Sequence, residues 1–164
     1  MALFHCNHES YALKRSAQFD VIIPNSFNGD NIPCMYLLHG LYDDCSVWQR
    51  LTNAERYAEA HGIAVVMPDA GKSFYTDMKY GYKYFTYISE ELISYTRKIF
   101  CISRERDKTY ICGNSMGGYG AFKIALSKPG TFGAAISMSG ALNVGARNQR
   151  SMWFDGADAI WGDD

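Results

Sequence analysis

Four short apolar runs constrain the fold of this chain more than any other feature: "CMYLLHG" (34–40), "IAVVMPD" (63–69), "KTYICGNS" (108–115) and "FGAAISMSG" (132–140). Each is short and continuously apolar, as expected of a strand buried on both faces. The stretches between them have helical character. "NAERYAEAHG" (53–62) reads as a helix that Asn53 or Thr52 can cap and Gly62 can close. From Tyr84 to Phe100, apolar residues at 85, 88, 92, 95 and 99 fall on one helical face. "MGGYGAFKIALSK" is helix-like and is stopped by Pro129-Gly130. "AQFDVIIP" (17–24) reads as a further strand ended by Pro24, and Asn28-Gly29 after it suits a hairpin. Short strands alternating with helices predict βαβ units and a mostly parallel sheet, with helices on both faces. Ligands bind such sheets in the loops after the C-terminal strand ends. The unusual loops here all stand in that place: "HGLYDDCSVW", "PDAGKSFYTDMKYG", "GNSMGG" and "SGALNV".

The chain's 164 residues suffice for one domain with a sizeable core. A net charge of −1 gives no electrostatic case for nucleic acid or an anionic membrane as partner. No apolar run approaches the roughly 18 residues of a membrane span. The opening "MALFHCNHES" has no basic start followed by an apolar stretch, so no signal peptide is expected. The cysteines (Cys6, Cys34, Cys45, Cys101, Cys112) are odd in number and form no C-x-x-C pair. Free thiols in a reducing cytoplasm are expected, rather than disulfides or zinc. The 12 Tyr, 9 Phe and 3 Trp are a high aromatic load, suited to filling a core or lining a pocket.

"GNSMG" (113–117) sits where an apolar strand gives way to an amphipathic helix. In that context Gly-x-Ser-x-Gly reads as a nucleophile elbow: a strained turn that exposes the Ser115 hydroxyl. Gly113 and Gly117 are needed because side chains there would collide across the turn. The helix dipole and free N–H groups behind the serine favour an oxyanion. The Met116 N–H is one candidate donor. The second is expected from the loop after the third strand, where "LLHGLYDD" offers the Leu41 N–H. His39 and Gly40 lie in that loop, and His39 reads as shaping it rather than as a general base. Trp48, Tyr75, Asp77 and Tyr80 are candidates to line a substrate pocket, with core or surface packing as the alternative.

The stretch from "YLLHGLYDDCSVW" through "KSFYTDMKYGY", together with "TYICGNSMGGYGAFKIAL" and "AAISMSGAL", resembles the esterase D-like branch of the α/β hydrolases, over roughly residues 17–142. Tributyrin esterases look most similar. S-formylglutathione hydrolases and feruloyl and acetylxylan esterases share the branch. The resemblance implies a three-layer α/β sandwich. It also implies hydrolysis of short-acyl esters, such as acetyl or feruloyl esters of carbohydrates, through an acyl-enzyme on Ser115 and without metal or cofactor.

In that family the acid and the histidine follow the serine, after strands seven and eight. Here His5, His8, His39 and His61 all precede Ser115. The chain is therefore expected to be the first two-thirds of such an enzyme. It would be one incomplete domain over residues 1–164, truncated after the sixth strand and inactive or weak by itself. Residues 143–164 resemble the start of the pocket-shaping insert between strands six and seven. Asp155, Asp158, Asp163 and Asp164 in it read as a solvated acidic tail. "AAISMSG" would be an exposed apolar edge that invites self-pairing, hence a homo-oligomer. Two alternatives are an S-formylglutathione hydrolase-like thioesterase and a non-catalytic remnant that associates through its open sheet edge. "HGLYDDCSVW" looks less like the former branch.

Overall fold

The computed structural model describes residues 1–27, 29–144 and 156–162. Strands β1 (Ala2–Ser10), β2 (Arg15–Ile23), β3 (Cys34–Leu38), β4 (Ala64–Pro68), β5 (Thr109–Asn114) and β6 (Ala134–Met138) form one sheet in the order β1-β2-β4-β3-β5-β6. β1, β2 and β4 pair antiparallel, while β4, β3, β5 and β6 run parallel. The expected mostly parallel sheet is thus extended at one end by an antiparallel hairpin.

Period-two alternation divides the apolar residues between the two faces. Phe19, Val21, Tyr36, Leu38, Val66 and Ile111 enter the larger core. Ile22, Leu37, Val65, Met67 and Cys112 enter a smaller one on the opposite face. The larger core is covered by a helix in three continuous pieces and by α5 (Met116–Ser127). Those pieces are α3 (Tyr84–Thr86), a π-helical turn (Tyr87–Leu92) and α4 (Ile93–Ile99). The smaller core is covered by α1 (Val47–Leu51) and α2 (Ala54–His61). A last short helix, α6 (Ala157–Trp161), sets Ile160 into the larger core and Trp161 5.1 Å from the Phe74 ring.

Three expectations are corrected in detail. The hairpin is not at Asn28-Gly29: β2 and β3 are not neighbours, because β4 lies between them. It joins β1 to β2 instead, through a turn in which Lys14 takes φ 50°. Asn28 itself lies outside the described residues. β6 is not buried on both faces. It is the sheet edge, with Ile136 48 % and Met138 37 % exposed. The apolar face of the 84–100 helix also differs. Ile88 and Leu92 are buried as expected, but the π turn adds a residue and rotates the helix beyond it, so Ile93 and Thr96 are buried while Ile99 is exposed. Within the segment 143–164, Ala157 and Ile160 are buried. Asp158 in that segment is exposed, and Asp155, Asp163 and Asp164 lie outside the described residues.

α2 closes as its sequence suggests. Gly62 adopts a left-handed φ of 62° and gives its N–H to the Ala58 and Glu59 carbonyls. At its start Asn53 makes no capping bond, and the Thr52 hydroxyl instead accepts the Ala54 N–H at 3.1 Å.

Candidate active site

β5 delivers Ser115 to the C-terminal edge of the sheet, and α5 begins at the next residue. Ser115 has φ 54° and ψ −115°, a conformation a serine rarely adopts, costing about 1–3 kcal/mol. Backbone bonds to the neighbouring strand and helix hold it there. Its N–H donates to the Met138 carbonyl at 2.9 Å, and its carbonyl accepts from Tyr119 (3.1 Å) and Ala141 (3.2 Å). The two elbow glycines are sterically required. A Cβ on Gly113 would overlap the Gly117 carbonyl, and one on Gly117 would overlap the Leu38 carbonyl oxygen and lie 2.7 Å from that of His39. The serine elbow and the loop after β3 therefore meet backbone to backbone.

That loop is itself pinned. His39 is fully buried. Its Nε2 accepts the Ala70 N–H at 2.9 Å, which assigns the ring proton to Nδ1, and Nδ1–H donates to the Gly40 carbonyl at 2.7 Å. The Asp69 carboxylate, 3.6 Å from Nε2, is too far to compete and takes the Gly71 N–H instead. With both ring nitrogens committed, His39 organises the loop and is not free to move a proton. Among the described residues, neither the Leu41 nor the Met116 N–H is given to a protein acceptor. The Ser115 hydroxyl makes no capping bond to α5. A half-buried hydroxyl beside a helix N-terminus and a second pinned backbone loop is suited to attack on a carbonyl whose oxygen becomes negative.

The sequence profile described as "Putative esterase" matches residues 10–164. The chain belongs to this esterase family. An acetyl esterase of Caldicellulosiruptor saccharolyticus is 32 % identical over 154 residues, which are 88 % of this chain and 58 % of that protein. Among solved structures, FphF, a fluorophosphonate-binding serine hydrolase of Staphylococcus aureus, matches with a TM-score of 0.91 and 33 % identity, over 99 % of this chain and 66 % of that one. The S-formylglutathione hydrolase FrmB of Staphylococcus aureus matches with a TM-score of 0.84 and 35 % identity, over 98 % and 66 % respectively. The architecture is that of the α/β hydrolases. This esterase-family chain spans about two-thirds or less of the length of these relatives.

The four pocket candidates do not form one wall. Tyr75 is fully buried, so its reading as a pocket residue is corrected: its hydroxyl donates to the His39 carbonyl at 3.0 Å. The Asp77 carboxylate accepts the Thr86 N–H (2.9 Å) and hydroxyl (2.6 Å) at the start of the long helix, which is a structural task. Tyr80 is 61 % exposed, and its N–H is bound to the Ala159 carbonyl. Trp48 lines an apolar groove of about 340 Å³ on the α1–α2 face, with Met35, Leu37 and Met138.

Sequence reasoning missed Gly120, where a Cβ would overlap the Tyr75 ring. It also missed Lys123, whose ammonium donates to the Thr76 hydroxyl at 2.6 Å and lies over the Phe85 and Tyr119 rings. Desolvation lowers the Lys123 pKa to about 8. The third glycine in "GGYG" was the available signal for the first, but no local pattern announces the second.

Proposed function

We propose that this chain carries the nucleophile and oxyanion hole of a serine carboxylesterase. Ser115 is the nucleophile, and the Leu41 and Met116 N–H groups are the oxyanion donors. The observation that carries this reading is the strained Ser115, at φ 54°, at the start of α5, where Gly117 packs against the loop after β3 with no room for a Cβ. A short-acyl ester binds with its carbonyl oxygen between the two N–H groups. The Ser115 oxygen attacks the carbonyl carbon as a base removes its proton, and the developing negative charge is met by the donors. Loss of one such donor typically costs about 2.7–4 kcal/mol of transition-state stabilisation. The alkoxide leaves with a proton, and water then releases the acid from the acyl-serine.

None of the described histidines is hydrogen-bonded to Ser115. His39 is committed to its loop, His5 to Asp20, and His8 to Tyr87. We therefore assign the general base to a histidine outside these 164 residues. The test is labelling by a fluorophosphonate probe and hydrolysis of 4-nitrophenyl acetate, in a protein extended by the downstream coding sequence. Labelling and turnover lost in Ser115→Ala are expected. No labelling of Ser115 in the extended protein would sink the assignment.

The likeness to FrmB favours a second substrate class, the thioester S-formylglutathione. The two are separated by comparing kcat/KM on S-formylglutathione and on a butyrate ester. The acetyl esterase relative supports the short oxygen esters as the better substrates.

A further inference from the structure

We propose that Tyr75 is a positioning residue that aims the Leu41 N–H. The inference rests on the reading of residues 39–41 as the oxyanion loop. Three observations converge on it. Phe74 and Tyr75 are consecutive bulky residues at φ 49° and 51°, a conformation L-residues avoid and which persists only where surroundings impose it. The turn carries the Tyr75 ring beneath α5, into space that exists only because residue 120 is glycine. There its hydroxyl meets the buried carbonyl of His39 at 3.0 Å.

The effect reaches Leu41 because both peptides that flank Gly40 are pinned to His39, the first by Tyr75 at the His39 carbonyl and the second by the His39 ring at the Gly40 carbonyl. The Tyr75 hydroxyl fixes the His39–Gly40 peptide. The Gly40 carbonyl is fixed by His39 Nδ1–H (2.7 Å) and by the Asp43 N–H (3.3 Å). Because a trans peptide sets its N–H opposite its C=O, these bonds also fix the direction of the Leu41 N–H. Gly40 lies between the two planes, and a glycine would otherwise leave them free to rotate against each other. Tyr75 is buried, so it contacts no substrate. Its contribution runs entirely through the loop.

The experiment is Tyr75→Phe in the extended protein, assayed on 4-nitrophenyl acetate. A fall in kcat of about 10- to 100-fold is expected, as for a misplaced oxyanion donor, with KM within about twofold. 4-Aminophenylalanine at position 75 retains a donor and should restore most of kcat. Unchanged kcat in Tyr75→Phe, or no recovery with the amino analogue, overturns the proposal. If Tyr75→Phe does not fold, 4-fluorophenylalanine takes its place in the comparison. If that also does not fold, Tyr75 is a folding requirement and the proposal falls. Replacing the Leu41 amide by an ester, with leucic acid, tests the underlying reading separately. If the ester leaves kcat unchanged, the oxyanion assignment fails. If the ester lowers kcat and Tyr75→Phe does not, only the positioning role fails.

Discussion

At Gly117 the elbow helix and the loop after β3 touch through backbone atoms, and backbone cannot swing aside as a side chain can. Gly117→Ala should therefore destabilise the protein by about 3 kcal/mol, the upper end of the usual cost of overpacking. A lowered urea midpoint together with lost Ser115 labelling would register it; an unchanged midpoint would refute the close packing. Lys123 makes a prediction of a different kind. Its folded pKa of about 8 lies below the ordinary 10.5. Between those values the unfolded chain holds more protons than the folded one, so stability gained from this group rises with pH. Wild type should gain on Lys123→Met between pH 8 and 10.5 and show no such gain below about pH 7. Chemical denaturation of both proteins across that range measures it. The serine, its glycines and the loop were legible in sequence because each belongs to a short contiguous motif. The role of Tyr75 was not, because its partner, the His39 carbonyl, lies 36 residues away along the chain.

Elements were legible in proportion to how strongly their own residues commit them. β3 and β4 are apolar throughout and stand out locally. β1 did not: His5, Asn7 and Glu9 are exposed on it, and its stability comes from pairing with β2 along its whole length. The π turn was also hidden. A helical-wheel reading assumes a constant period, and one inserted residue breaks it without leaving a sequence mark. At the end of α2, Gly62 has open space around it, and a methyl group there would find only the Ser26 hydroxyl within 4 Å. Gly62→Ala should thus cost only the left-handed backbone strain, about 1–2 kcal/mol. Thermal denaturation should show that loss with esterase-probe labelling unchanged. A larger effect would mean that the cap does more than end the helix.

Across the whole sheet, the covering layers are unequal. The α3–α5 side is closed over β5 and β6, whereas Ile136 and Met138 remain exposed on the edge strand. Self-association of the 164-residue chain through that edge is expected. Ile136→Lys should weaken it, as seen by light scattering at matched concentrations. If the lysine variant associates equally, the edge is not the contact. The opposite edge is β1, which displays Leu3 and Phe4 as well as the polar His5, Asn7 and Glu9. A β6-to-β6 contact related by a twofold axis closes at two copies, whereas a β6-to-β1 contact leaves an end open for growth. The strand that meets β6 would therefore set the limit on assembly: a closed pair in one case, an open row of sheets in the other.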